Sequence, residues 1–193
     1  VYDVSYGIVN RGVDSIVIID DSIVRGTTLR ESIISILDRL QPKKIIVVSS
    51  APQIRYPDCY GIDMSKMGDF VAFKAAMALH EKSGDGQAVK AIYEASKMEL
   101  TLPAMQCVNA VKKLYEPFSA KEISAQIARN VTAPHIKAKV EVIYQSIENL
   151  HAACPNHKGD WYFTGDYPTP GGNRVVNRAF VNYMEGNDAR AYG

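Results

Sequence analysis

Two adjacent carboxylates, Asp20 and Asp21, follow a run of β-branched residues in the stretch VIIDDSIVRGTTL, residues 17–29. Neighbouring carboxylates repel each other and are costly to bury without a partner, so they are expected to face a cation or hydroxyl groups. Magnesium ions prefer hard oxygen ligands, and the vicinal hydroxyls of a ribose are the other natural partner. The pair is therefore predicted to bind a metal-bound sugar diol.

The residues after the pair have the chemistry of a phosphate cradle. Ser22, Thr27 and Thr28 offer hydroxyl donors, and Gly26 lets a ligand approach the backbone closely. The loop then enters a helical pattern, and the free N–H groups and dipole of a helix N-terminus favour an anion. A carboxylate pair followed by such a cradle fits a sugar 5-phosphate.

A plainer interpretation exists for each half of this motif. A strand that ends in two aspartates is often only a solvated turn, and a threonine before a helix is often only a cap. Both halves together, in one strand-to-helix turn, favour ligand binding. The glycines follow neither the dinucleotide-binding pattern nor the P-loop pattern, which disfavours both of those protein classes.

The elements that must position these side chains form a strand–helix–strand unit. The continuous apolar runs at 15–19 and 44–50 predict two buried strands. Between them a helical stripe begins at Thr28, where Thr28 and Glu31 have capping-box spacing, and Pro42 ends it. Such a crossover implies a parallel sheet, and ligands of open parallel sheets bind at the carboxyl ends of strands, where Asp20 and Asp21 lie.

After the second strand the sequence predicts only loops and helices. Two prolines and a glycine mark 51–63 as a loop, and 154–173 is rich in turn-forming residues. Residues 1–9 are compatible with a short helix. Apolar periodicity predicts the remaining helices at 69–82, 87–100, 120–130, 140–153 and 175–185.

Composition narrows the class of protein. A chain of 193 residues with 47% hydrophobic residues has room for one ordinary domain with a small appendage. The net charge of +1 gives no reason to expect nucleic acid or an anionic membrane as a partner. Three scattered cysteines form no disulfide framework, so a reducing, cytoplasmic location is expected. The chain opens at Val1 without an initiator Met, as expected for a piece of a longer polypeptide.

The stretch VIIDDSIVRGTTL resembles the phosphoribosylpyrophosphate (PRPP) motif of type I phosphoribosyltransferases. The form DDSIVRGTT, followed by SSAPQIRYPDCYGID at 49–63, is similar to the amidophosphoribosyltransferase branch of that family. The tail FTGDYPT at 163–169 resembles the branch's C-terminal signature. The resemblance thus touches both ends of the chain, with a less distinctive middle.

The resemblance implies a fold and its parts. The fold class expected is α/β, a partial type I phosphoribosyltransferase fold with a parallel sheet and a βαβ crossover, followed by a mainly helical C-terminal region. Residues 1–100 would be the C-terminal half of the transferase domain, and 101–193 a helical extension. The family's glutaminase domain, pyrophosphate loop and flexible active-site loop would lie upstream, so this chain alone is expected to be inactive.

The resemblance also implies a reaction and its residues. Ammonia from glutamine attacks C1 of PRPP, giving phosphoribosylamine and pyrophosphate in the first committed step of purine synthesis. Asp20 and Asp21 would bind Mg²⁺ and the ribose hydroxyls. No catalytic side chain is assigned, and Arg55 and Tyr56 would lie near the site or only brace the loop. The PRPP-binding residues would be Asp20, Asp21, Ser22, Arg25, Gly26, Thr27 and Thr28.

Cofactors and partners follow from the same resemblance. Some members carry an iron–sulfur cluster, but Gly159 and Tyr162 stand where two of its cysteines would be, so a cluster-free protein is expected. His151 and His157 flank Cys154, but their spacing matches no standard zinc signature, so no zinc is predicted. The family forms homo-oligomers, usually tetramers, and is inhibited by purine nucleotides. Neither nucleic acid nor a membrane is expected as a partner.

Two alternatives stay open at this point. One is another PRPP-using enzyme, such as an orotate or purine-base phosphoribosyltransferase, although the long tail after the second strand argues against these usually compact enzymes. The other is a non-catalytic regulator that senses PRPP and binds nucleic acid, against which the low net charge and the lack of a basic stripe argue.

Overall fold

A computed structural model describes residues 7–61, 64–157 and 159–192, so most of the helix considered for 1–9 lies outside the described residues. The sheet has three strands, β1 (Ser15–Asp20), β2 (Lys44–Ser49) and β3 (Lys139–Tyr144). All pairings are parallel and β2 is central. The α/β fold class is confirmed, and the arrangement is consistent with a partial phosphoribosyltransferase-like fold followed by a helical region.

Most helices follow the predicted positions closely. The stretch predicted as loop at 154–173, however, contains the short helix Trp161–Thr164, and the last helix begins at Pro170, five residues before the predicted start. The crossover from β1 to β2 begins with a π-helical turn (Leu29–Ile33) that continues as α1 (Ile34–Asp38). Short 3-10 turns occupy Met67–Asp69, Ala104–Gln106 and Ala110–Leu114. The other α-helices are α2 (Val71–Lys82), α3 (Gly86–Thr101), α4 (Ala120–Val131), α5 (Ile147–Ala153), α6 (Trp161–Thr164) and α7 (Pro170–Met184).

A larger exception is the helix predicted at 140–153, which is wrong over its first half. Lys139–Tyr144 forms β3, and the helix α5 starts only after Ser146, whose hydroxyl accepts the N–H of Asn149. The stretch alternates between residues that face the helices, such as Val142, and residues that face solvent, such as Ile143. This period of two is the pattern of a strand, and the β-branched residues in it favour one. The sheet therefore contains two strands that precede residue 100 and one that follows it. The domain boundary predicted at residue 100 stays a prediction.

The core lies on one face of the sheet. Ile45 and Val47 of β2 are fully buried there, beside Val142 of β3. The helix α4 packs against β3 and α2, and α3 packs against α7. Phe73 of α2 meets Phe180 of α7 edge to face, with ring centroids 6.1 Å apart. These contacts join the first third of the chain to the last helix in one hydrophobic core.

The opposite face of the sheet is largely uncovered. Val17 and Ile19 of β1 are 54% and 76% exposed, and Ile143 of β3 is also exposed. An ion pair between Lys44 and Glu141 crosses this face, and it lowers the pKa of the Glu141 carboxyl. Among the described residues, no helix is long and apolar enough to cross a membrane.

A single carboxylate fastens the end of α1 to the entrance of β3. The Oδ1 atom of Asp38 accepts the backbone N–H groups of Lys137 and Ala138 at 3.1 and 2.8 Å. The two hydrogen bonds join residues that are 99 and 100 positions apart in the sequence, and so hold the two segments together.

We therefore expect Asp38→Ala to lower the free energy of unfolding by about 1–3 kcal/mol, because two backbone donors lose a charged acceptor. Asp38→Asn keeps an acceptor oxygen at the same place and should lose less than half as much. Urea denaturation of the two variants measures the difference. Equal losses, or no loss in either variant, would show that the carboxylate does not hold β3 in place.

Candidate functional site

The two carboxylates lie where the sequence predicts, at the carboxyl end of β1. Both side chains are exposed, so neither bears the cost of burial. The backbone carbonyls of Asp20 and Asp21 accept N–H groups from Ser50 and Ala51 at 2.9 and 3.0 Å, which extends the pairing with β2 by two residues. The Ser50 hydroxyl donates to the same two carbonyls. The backbone that carries the pair is thus fixed, while its carboxylates point to solvent.

The role of Ser50 was not predicted from the sequence, because its hydroxyl binds backbone carbonyls of the protein rather than a ligand. Its part is to brace the backbone, and only the register of the parallel strands shows that it lies beside Asp20. A hydroxyl next to a strand end is too common for its spacing to have indicated this role. The hydroxyl of Ser22, in contrast, belongs to the predicted set and donates to Oδ1 of Asp21 at 3.2 Å.

The loop between the carboxylates and the helix is pinned to α2 and α4. The side chain of Ile23 is buried, and the carbonyl of Val24 accepts the N–H of Val71 at 2.8 Å. Gly26 has a φ of +69°, a left-handed conformation that favours glycine. A Cβ atom at Gly26 would lie 3.1 Å from a methyl group of Val131 and 3.3 Å from one of Val71. Glycine is therefore required here for packing inside the protein as well as for the turn.

The two threonines open the helix, but not as a capping box. Thr28 has helical backbone angles, with φ −59° and ψ −39°, and its side chain makes no capping hydrogen bond. The predicted Thr28–Glu31 capping box is wrong, because a residue already inside the helix cannot cap it. The N–H of Arg30 donates to the carbonyl of Gly26 at 3.0 Å, so the first turn begins one residue earlier than predicted. The side chains of Thr27 and Thr28 are exposed above that turn.

Arg25 makes an ion pair at the outer side of the loop. Its guanidinium lies 3.5 Å from a carboxylate oxygen of Asp69, and about half of its side chain is exposed. An exposed pair of this kind contributes little to stability, roughly 0–1 kcal/mol. In this structure the guanidinium faces Asp69.

Arg55 and Tyr56 are built into the loop after β2. The Arg55 guanidinium donates to the amide oxygen of Gln53 and stacks over the ring of Tyr115, with its central carbon 5.2 Å from the ring centroid. Tyr56 is buried, and its ring meets that of Tyr115 edge to face at 5.3 Å. These contacts hold the loop after β2 in its conformation. A part for either residue beside a bound ligand stays a prediction.

The tail signature at 163–169, together with Tyr162 directly before it, packs onto this same loop. The carbonyl of Tyr162 accepts the N–H groups of Arg55 and Tyr56, and the hydroxyl of Tyr167 donates to the carbonyl of Pro57. The hydroxyl of Tyr162 donates to Oδ1 of the buried Asp58 at 3.0 Å. Burial, and then the hydrogen bond to Asp58, raise the pKa of Tyr162 to about 12. The loop after β2 and the tail segment thus form one structural unit, although their hydrogen-bonded residues lie 104 and 110 positions apart in the sequence.

A groove in the described part of the chain lies away from the carboxylate pair. It has a volume of about 1190 Å³ and runs along the open edge of β3 beside α4. Arg55 and Gln53 line one end of it. Of the residues predicted to bind PRPP or lie near it, only Arg55 faces this groove, so the candidate site is a surface loop at the end of β1.

Comparisons with known proteins support the predicted resemblance. No protein-family model matches the chain. Amidophosphoribosyltransferases are similar over about 30% of it: 46% identity over 59 residues with that of Pasteurella multocida, 45% over 58 with that of Escherichia coli and 42% over 59 with that of Schizosaccharomyces pombe. The resemblance to this group is confirmed. The matched segment covers only 11–12% of the length of these relatives.

Substitution at Gly26 tests whether packing inside the protein holds the loop. Gly84 offers a matched control, because its φ of +71° is nearly the same and a Cβ there would meet nothing within 4 Å. Alanine at either position bears the same left-handed strain, about 1–2 kcal/mol. Only Gly26→Ala should also crowd Val71 and Val131, and we expect it to lose about 1 kcal/mol more.

Thermal or urea unfolding of the two variants gives the comparison. The entropy that alanine removes from the unfolded chain is common to both variants and cancels in the difference. If Gly26→Ala and Gly84→Ala are equally destabilised, the loop is not held by its contacts with α2 and α4.

Proposed function

We propose that this chain carries the PRPP-binding segment of an amidophosphoribosyltransferase, an enzyme of purine biosynthesis. The observation that carries the proposal is one loop with two parts. Exposed carboxylates stand at the carboxyl end of β1, and a glycine turn leads within six residues to exposed threonines at a helix start. The names of the similar proteins support the same assignment.

The carboxylates suit the sugar end of this substrate. Asp20 and Asp21 are exposed, and within the described part of the chain they accept hydrogen bonds from the Ser22 hydroxyl and the N–H of Asp21. Carboxylate oxygens accept hydrogen bonds from vicinal hydroxyls and are hard ligands for Mg²⁺. When bound, Mg²⁺ would neutralise the charge of the leaving pyrophosphate. Because the backbone of the pair is held by Ser50 and Ala51, only the two side chains have to reorient to receive the ribose.

The helix start suits the 5-phosphate. The first N–H groups of a helix have no intrahelical acceptor, and they point toward an anion placed before the first turn. Gly26 has no side chain to block that approach, and the hydroxyls of Thr27 and Thr28 are exposed beside it. Arg25 would leave its exposed partner Asp69 to pair with the phosphate.

The reaction needs position and charge stabilisation rather than a side-chain nucleophile. Nitrogen of ammonia forms a bond to C1 of PRPP, the bond from C1 to the pyrophosphate oxygen breaks with its electron pair, and the nitrogen then loses a proton. Holding the ribose rigidly supplies part of the rate enhancement. The ammonia source, the pyrophosphate-binding residues, inhibition by purine nucleotides and the tetramer are parts of the proposal drawn from the resemblance.

Removal of the two negative charges tests the proposal. We expect Asp20→Asn combined with Asp21→Asn to weaken PRPP binding in the presence of Mg²⁺ at least tenfold, because hydrogen bonds to charged groups contribute about 1.5–3 kcal/mol each. Isothermal titration calorimetry of the 193-residue chain measures the affinity. Both side chains are exposed, so circular dichroism should show an unchanged fold.

Asp188→Asn is the control, because Asp188 is an exposed carboxylate that pairs with Lys66. Its affinity for PRPP should equal that of the parent chain. Parent-like binding by the double variant, or an equal loss in Asp188→Asn, would contradict the assignment of the carboxylate pair.

A further inference from the structure

A second group of ligand atoms lies at the junction of α5 and α6, away from the loop after β1. His151 is in the last turn of α5, His157 lies in the connecting turn, and Asp160 immediately precedes α6. One ligand atom from each side chain lies within 4.8 Å of the other two. The three residues are spread over ten positions of the sequence, and the fold between two helices brings them together.

The backbone of the connection fixes where these side chains stand. The N–H of Cys154 donates to the carbonyl of Leu150 at 2.8 Å and closes α5. The N–H of His157 then donates to the carbonyl of Cys154 at 3.1 Å in a tight turn. This turn places the His157 ring on the His151 ring, with centroids 4.4 Å apart and planes inclined by 16°.

The carboxylate of Asp160 is oriented from behind. Its Oδ1 atom accepts the hydroxyl of Thr164 at 2.9 Å, which turns Oδ2 toward His151. The Nε2 atom of His151 lies 2.8 Å from that oxygen. Ligand carboxylates in metal sites are usually held by such outer hydrogen bonds, which set their direction before the ion binds. Asp160 is also mostly buried, so its position is well determined.

Two imidazoles and one carboxylate are a ligand set for a first-row divalent ion such as Zn²⁺. Ligand atoms about 2.1 Å from a tetrahedral zinc lie about 3.4 Å apart. The His151 Nε2 and Asp160 Oδ2 atoms, now 2.8 Å apart, would separate by about 0.6 Å around such an ion. The exposed His157 ring would turn out of its stack on His151, because the lone pairs of two parallel imidazoles do not converge on one ion. The remaining coordination position would be open to water.

We propose that His151, His157 and Asp160 bind one divalent transition-metal ion of the zinc type. The spacing in the sequence matches no standard zinc signature, and it therefore gave no prediction of this site. A hydrogen bond between His151 and Asp160 alone accounts for two of the three residues but gives no role to the His157 ring stacked on His151. Binding of an ion uses all three.

The ion would fasten α5 to α6. Because Tyr162 and Phe163 belong to α6, the clamp would strengthen the contact of the tail signature with the loop after β2. Metal binding should accordingly raise the melting temperature of the chain. This consequence does not depend on PRPP binding.

Titration of the metal-free chain with Co²⁺, followed by competition with Zn²⁺, tests the proposal. We expect one ion per chain, with the visible absorption bands of a four-coordinate Co²⁺ site, and release of the Co²⁺ by Zn²⁺. His151→Ala, His157→Ala and Asp160→Asn should each weaken binding at least tenfold. Asp160→Asn keeps an acceptor oxygen for Thr164, so loss of binding there would not reflect loss of the α6 start.

Two control variants test whether the ion binds these three side chains and no others. His135→Ala removes an exposed histidine whose ring contacts the hydroxyl of Ser35 and which belongs to neither α5 nor α6. This variant should bind Co²⁺ as the parent chain does. Cys154→Ser should also bind normally. If the Co²⁺ complex shows a near-ultraviolet thiolate band that disappears in Cys154→Ser, then Cys154 is a ligand. The proposed set of three ligands is then wrong.

The proposal is also wrong if no saturable binding of one ion per chain is found. It is equally wrong if His157→Ala and Asp160→Asn bind as tightly as the parent chain. In either case the contact between His151 and Asp160 is a hydrogen bond that binds no ion.

Discussion

The close approach of Gly26 to Val71 and Val131 is the constraint on which the candidate site depends. A turn with positive φ brings the chain from the end of β1 into the crossover helix, and a side chain at Gly26 would crowd Val71 at the start of α2 and Val131 at the end of α4. The hydrogen bond from Val71 to Val24 fixes the same turn from the other side. The carboxylate pair before this turn and the threonines after it are exposed because the residues between them are held against the core. The core thus determines the geometry of a surface loop.

A second set of hydrogen bonds holds the loop after β2 in place. The buried carboxylate of Asp58 accepts the hydroxyl of Tyr162 and the N–H of Tyr60, and the hydroxyl of Tyr192 donates to the backbone carbonyl of Asp58 at 2.7 Å. The carbonyl of Tyr162 accepts two N–H groups of the same loop. A buried carboxylate without partners would be costly, so these tyrosines make the position of Asp58 possible. The tail signature therefore has a structural task, which is to hold the loop that follows the central strand. The junction of α5 and α6 precedes this tail, and a metal ion there would act on the same contacts.

The sequence predicted the parts whose patterns are local. The runs 15–19 and 44–50 are apolar enough to indicate strands, and the carboxylate pair follows directly from the end of one of them. The strand β3 was missed because its alternation at 139–144 is short and runs into a true helix, so a helical period fitted the whole stretch. Its pairing with β2 is decided by contacts far apart in sequence. Ser50 and Val131 could not be found either, because they act on the site through backbone and packing rather than chemistry.

The most direct test of the central claim is a map of where phosphorylated ribose binds. Backbone amide signals of the ¹⁵N-labelled chain, recorded by NMR during titration with PRPP and Mg²⁺, report each residue separately. We expect saturable shifts concentrated at residues 20–30, largest at Gly26, Thr27 and Thr28, with little change at the open edge of β3. Shifts centred on the groove between β3 and α4, or no shifts at saturating PRPP, would contradict the assignment of the loop after β1 as the binding site.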